Sequence, residues 1–270
     1  MKQNGILHKI ICAAAAVLLT AAVIPPVAVS AHSETTPYNW YCKNNKTHTQ
    51  PTLPPEMAFI KNYNSYYLDD THGDDSADKV LYLTFDAGYE NGNVEKILNI
   101  LREENVPGAF FVLDTLITSN TDLVKRMTAE GHLVCNHTKR HKNMTRITDK
   151  AEFAGQITGL EDVYREYTGL EMAKYYRPPE GCFSEQNLKY ISEMGYKTIF
   201  WSFAYADWDN DKQMSPADAK QKVLAHTHNG AVILLHPTSA TNAAILGDLI
   251  REWKAQGYRF GTLDELTGNA

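Results

Sequence analysis

A chain of 270 residues, 43% of them hydrophobic, is long enough for one full-sized domain around a single core. Its 32 acidic against 26 basic residues leave a formal charge of −6, which argues against nucleic acid and anionic membranes as partners. Four cysteines are too few for a disulfide scaffold.

Residues 1–31 read as a secretory signal peptide. Lys2 and Lys9 form its basic start, Ile10 to Val23 is an apolar run short for a membrane span, and Val29-Ser30-Ala31 supplies the cleavage site. An uncleaved anchor is the other reading, and Pro25 and Pro26 speak against it. Cys12 lies within the apolar run, with no room for a lipoprotein site after it. Removing the segment takes two Lys and no acid, so the charge falls from −6 to −8. The expected product is extracytoplasmic, monomeric and without a stable membrane span. Of the remaining cysteines Cys42, Cys135 and Cys182, a Cys135–Cys182 bridge is one option and two buried thiols the plainer one. Residues 32–78, rich in Asn, Thr, Pro, Tyr and Asp, read as a linker followed by an irregular cap.

From Lys79 short apolar runs alternate with helical periods. Val80 to Phe85 is a strand; Val94, Ile97, Leu98 and Leu101 mark an amphipathic helix. Ala109 to Leu113 follows as a strand, then a helix over Thr121 to Glu130, a strand at Leu133 to Asn136 and a helix over residues 150–167. Tyr175-Tyr176 is a short strand, residues 185–194 a helix, and Thr198 to Trp201 a strand. Pro216 opens a helix, Ala231 to Leu235 is a strand, and Leu246, Leu249, Ile250 and Trp253 show helical spacing before a last strand at Phe260 to Leu263. This alternation predicts an α/β fold of right-handed βαβ units. Seven units suffice to close a distorted (β/α)7-type barrel, with polar residues expected at the C-terminal strand ends.

They are found there. TFDAGYENG places Asp86 after the first strand, NHTKRH places His137 and His141 after the third, and RPPEG places Arg177 after the fourth. ADWD brings Asp207 and Trp208 after the fifth, and LLH ends the sixth with His236. Each alone has a plain structural explanation; the joint arrangement does not. His48, His72, His132, His226 and His228 lie outside the pattern and read as hydrogen-bonded structural histidines.

The chemistry suits amide hydrolysis. Two neutral imidazoles suit zinc or a similar divalent ion, which acidifies water and polarises a carbonyl. Asp86 suits the base and His236 the acid that protonates the departing amine. Arg177 would keep Asp86 ionised, and Asp207 would orient His236 and favour its charged form.

These motifs, in this order from Lys79 to Leu266, resemble the NodB-homology polysaccharide deacetylases. GYENG, RPPEG-C-FSE, WSFAYADW and Asn39-Trp40 are further similar to the sporulation subgroup that de-N-acetylates N-acetylmuramic acid on the route to muramic δ-lactam of spore-cortex peptidoglycan. The resemblance implies a deacetylase domain over residues 79–268 acting on a peptidoglycan glycan strand, at the cell wall or in the outer forespore compartment. It implies Asp86 as base, His236 as acid, Arg177 and Asp207 as their supports, and His137 and His141 as ligands of zinc, with Mn, Co or Mg as alternatives. Trp208 is implied as an apolar wall near the acetyl group and the backbone N–H of Glu180 as oxyanion donor. Tyr89 and Leu234, within the same motifs, complete the expected substrate-binding set. Two positions depart from the family. Ala87 stands where most members have a second metal-binding aspartate, so the ion should be weakly held, and Glu180 stands where an aromatic is frequent. Three alternatives remain open: a chitin or N-acetylglucosamine deacetylase of the same fold, a non-catalytic glycan-binding domain, and a glycoside hydrolase pairing Asp86 with Asp207.

Overall fold

The computed structural model describes residues 33–43 and 45–269, so the expected signal peptide lies outside the described residues. Seven parallel strands alternate with helices: β1 (Lys79–Ala87), β2 (Ala109–Val112), β3 (Leu133–Asn136), β4 (Ala173–Tyr176), β5 (Lys197–Ile199), β6 (Ala231–Leu235) and β7 (Tyr258–Phe260). Strands β2 to β5 follow β1 in order along one edge, and β6 pairs with the other edge of β1. The sheet curls until Phe203, just past β5, bridges to Ile233 of β6. This is the distorted α/β barrel expected from the sequence.

The seventh strand is not a full stave. It pairs with the lower half of β1, Lys79 to Leu81, on the edge whose upper half, Thr84 to Ala87, pairs with β2. It also ends earlier than Phe260 to Leu263, the expected span. Gly261 follows it, bonding Leu81 O through its N–H at 2.9 Å, where a Cβ would lie 2.5 Å from Tyr82 Cε1. The Thr262 side chain then caps a short helix over Leu263–Leu266.

The connecting helices are α1 (Val94–Glu104), α2 (Asp114–Ser119), α3 (Thr121–Ala129), α4 (Lys150–Thr168), α5 (Glu185–Glu193), α6 (Pro216–Ala225) and α7 (Ala240–Ala255). α2 was not expected; six residues are too few to show a 3.6-residue period. Among the described residues no helix is long and apolar enough to cross a membrane.

Alternation along β1 sorts its side chains into two layers. Leu81, Leu83, Phe85 and Ala87 join the outer cluster beneath the helices, with Ile97, Leu98, Leu249 and Trp253. Val80 and Tyr82 join the inner cluster with Phe111, Cys135, Tyr175 and Val232. Thr84 and Asp86 share the phase of Tyr82 and so face the barrel interior.

The residues before β1 are tied down at several points. Tyr38–Asn39 pairs antiparallel with Cys182–Phe183, Trp40 stacks on Phe200 at 4.3 Å, and Ser65–Tyr66 lies parallel to β5. Gln50 Nε2 donates to the carbonyls of Asp69, His72 and Asn229. Gly230 (φ +71°) allows this approach, since a Cβ would lie 2.3 Å from Asp69 O. Cys42, Cys135 and Cys182 are unbridged; Cys135 is buried in the inner cluster and Cys182 Sγ donates to Asn39 Oδ1 at 2.9 Å.

Candidate active site

The C-terminal strand ends surround an open cavity of about 720 Å³ bordered by Asp86, His137, His141, His236, Tyr89 and Trp208. The five strand-end motifs singled out in the sequence therefore meet at one mouth.

Asp86 and Arg177 form its floor. Arg177 is completely buried and spends its donors on Asp86 Oδ1 (2.8 Å), Thr84 Oγ1 (2.9 Å) and the carbonyls of Ile199 (2.9 Å) and Phe200 (3.2 Å). Its guanidinium lies over Phe111, 4.2 Å from the ring centroid. Burial pushes the Asp86 carboxyl up, but Arg177, His137 and His236 together bring it below the usual carboxylate range. Asp86 is therefore an ionised base at neutral pH. Thr84 was not singled out in the sequence; its hydroxyl in turn donates to Ile233 O, tying the guanidinium to β6.

His137 and His141 meet because their loop turns back on itself. Thr138 (φ 68°) and His141 (φ 50°) are left-handed, with Thr138 N held by Asn136 Oδ1 and His141 N by Thr138 Oγ1. The two rings lie 4.9 Å apart, edge to face. His137 Nδ1 faces the Arg177 carbonyl at 2.9 Å. A carbonyl only accepts, so Nδ1 carries the proton and Nε2 presents a lone pair, 3.6 Å from Asp86 Oδ2. Burial drives His137 down to about 4, against the pull of Asp86, so the ring is neutral. A neutral imidazole oriented by a carbonyl is how proteins prepare a metal-ligating histidine, so the pair fits a divalent ion. Among the described residues no group of three His, Cys, Asp or Glu side chains is placed to hold one. Ala87 is fully buried and packs into the outer apolar layer, one residue out of phase with Asp86.

On the opposite wall His236 Nδ1 donates to Asp207 Oδ1 at 2.7 Å, and His236 N to Oδ2 at 2.8 Å. Burial would lower the imidazole, but the bond to Asp207, its charge and that of Asp86 raise it above the ordinary value. With Nδ1 committed, Nε2 is the nitrogen that delivers a proton. Asp207 is itself held by Asn242 Nδ2 at 2.6 Å, a residue of α7 that the strand-end pattern did not reach.

The remaining candidates line the rim. Trp208 is 61% exposed, with its ring 6.2 Å from that of His236, and Tyr89 is 49% exposed and accepts from Asn210 Nδ2 at 2.6 Å. Trp208 is thus a rim platform, while the inner apolar lining falls to Leu234, Tyr205 and Trp201. Glu180 is left-handed (φ 60°, ψ 5°), a strained backbone at the mouth. Its carboxylate is exposed and accepts from Asn143 Nδ2 at 3.4 Å.

The five histidines set aside all have partners elsewhere: His48 with Thr227 O, His72 with Asp69 and Asp78, His132 with Gly108 N, His226 with Lys222 O and His228 with Asn229 O.

Residues 73–199 match the polysaccharide deacetylase family model. The chain is 36% identical over 231 residues to the peptidoglycan-N-acetylmuramic acid deacetylase PdaA of Bacillus subtilis, covering 85% of this chain and 86% of that one. Over 190 residues it is 35% identical to the peptidoglycan-N-acetylglucosamine deacetylase PgdA of Listeria monocytogenes, covering 70% of this chain and 39% of the relative. The solved structure of Bacillus subtilis PdaA, a family 4 carbohydrate esterase, superposes with a TM-score of 0.81 over 87% of this chain and 98% of that one.

Proposed function

Because this chain belongs to the polysaccharide deacetylase family, we propose that it hydrolyses N-acetyl groups of peptidoglycan, with N-acetylmuramic acid as the sugar attacked. The observation that carries this reading is the pair of ionisable dyads facing each other across one mouth. Asp86 is held ionised by Arg177, and the bond to Asp207 raises His236 and favours its protonated form. Similarity to PdaA over most of both chains favours N-acetylmuramic acid; the GYENG, RPPEG-C-FSE and WSFAYADW stretches favour the route to muramic δ-lactam of spore cortex, outside the cytoplasm.

In this reading the acetyl group enters against Leu234 and Trp201, with the sugar resting on Trp208 and Tyr89. Asp86 accepts the proton of the attacking water. The backbone N–H of Glu180 steadies the oxyanion, and the left-handed turn at this residue serves that placement. His236 Nε2 then protonates the leaving nitrogen as the C–N bond breaks, releasing acetate and the free amine. His137 and His141 would hold a divalent ion, zinc before Mn, Co or Mg, whose chemistry there is to polarise the acetyl carbonyl and acidify water.

The test is acetate release from peptidoglycan by the purified, zinc-supplied protein, read with mass spectrometry of the muropeptides. Loss of 42 Da (roughly the mass of one acetyl group exchanged for hydrogen) on muramic acid supports the proposal, and loss on glucosamine moves the substrate to the other sugar. Asp86→Asn should lower the rate by about 10²–10⁴-fold. Reducing ends without acetate would point to a glycosidase, and neither product to a binding domain.

A further inference from the structure

Asp207 is completely buried, and two of the three bonds that hold its carboxylate come from His236 itself. The third comes from Asn242, in the first turn of α7, whose Nδ2 donates to Asp207 Oδ2 at 2.6 Å and to the His236 carbonyl at 3.1 Å. Both of these oxygens only accept, so the amide nitrogen must face them and the amide oxygen must face the other way. There it receives the hydroxyl of Tyr205, which is also buried. Every polar atom of the Asn242 side chain is thus used, and its orientation admits no flip. The backbone is fixed as well. Asn242 N is capped by Ser239 Oγ at 3.0 Å, Ser239 donates to Gln213 Oε1, and Gln213 Nε2 donates to the Asp207 carbonyl at 2.9 Å.

On this geometry, and resting on the deacetylase reading with His236 as acid, we propose that Asn242 is a positioning residue of the reaction, with Tyr205 as the group that sets its amide. Without the amide, Asp207 is anchored only by the residue it is supposed to orient. Its carboxylate can then rotate, and His236 loses the partner that keeps Nδ1 protonated and aims Nε2 at the mouth. The loss falls on protonation of the leaving nitrogen, not on substrate binding, because neither Asn242 nor Tyr205 OH is needed to shape the rim where Trp208 and Tyr89 lie.

The experiment compares Asn242→Leu, Asn242→Asp and Tyr205→Phe with the unaltered full chain, measuring kcat and KM for acetate release and the melting temperature of each. Asn242→Leu should lower kcat about 10–100-fold with KM nearly unchanged, the size seen when supports of a reacting group are removed. Tyr205→Phe should show a smaller loss in kcat alone. Two carboxylates this close cannot both ionise, so Asn242→Asp keeps one proton between itself and Asp207. That proton restores a donor, and this variant should retain more kcat than Asn242→Leu. Equal losses in the Leu and Asp variants, full kcat in Tyr205→Phe, or changes confined to KM would overturn the proposal. Should Asn242→Leu not fold, the other two variants decide the question. Absence of acetate release by the unaltered chain would instead sink the deacetylase reading itself.

Discussion

At the scale of single residues, the site separates what a motif announces from what its neighbours do with it. Asp86, His137, His141, Arg177, Asp207 and His236 were legible because each stands at or beyond a strand's C-terminal end and carries an ionisable or metal-seeking group. Thr84 and Asn242 were not, because a buried hydroxyl or amide acts only through the partner that the fold brings to it. The raised His236 gives a pH dependence with a definite sign. The acid is charged below its folded value and loses its proton as the pH rises through it, so kcat/KM should fall on the alkaline side above the ordinary histidine value of about 6.5. Asp207→Asn removes the largest cause that raises it and leaves burial to act, so the alkaline limb should move to lower pH. The stability that this pair contributes runs the same way, complete below the unfolded value and lost as the pH rises through the folded one. Ala87 bears on the metal. Ala87→Asp should tighten zinc binding in a calorimetric titration by adding an anionic ligand. Unchanged affinity would mean that the outward phase of Ala87 on β1 keeps the carboxylate from the ion.

At the scale of elements, the alternation of apolar runs with helical periods was the reliable signal and strand ends the weaker one. The alternation in β1 separates Leu83 and Phe85 from Thr84 and Asp86, but Val80 to Leu83 is apolar throughout, so the face each side chain takes shows only in the folded sheet. The end of β7 was not readable either, because the chain there lies at Gly261 so close to Tyr82 and Val80 that a Cβ would clash, and these are about 180 residues away in the chain. The same holds where β6 begins. Gly230 is left-handed and sits against the Asp69 carbonyl, so Gly230→Ala imposes both backbone strain and a clash. We expect a loss of about 2 kcal/mol or more in urea unfolding, with the m-value unchanged. A full-stability variant would show that the Gln50–Asp69 segment is free to move aside.

At the scale of the whole molecule, the barrel gathers groups from five separate strand ends, so chemistry and fold are hard to uncouple. Chelation should abolish acetate release and added zinc restore it, with little change in melting temperature. That outcome follows because His137 is already oriented by the Arg177 carbonyl without the ion. A large drop in melting temperature on chelation would instead make the ion part of the fold. Arg177 carries the further consequence. Its charge is buried against the rings of Phe111 and Trp201, and Asp86 is the only anion bonded to it among the described residues. A buried cation deprived of its partner costs about 3–5 kcal/mol, a large share of the stability of a domain. Protonating Asp86 therefore does more than idle the base: it orphans Arg177. As the pH falls, His137 takes up its proton at about 4 and releases the ion first, so activity should fade before Asp86 is protonated and the fold gives way.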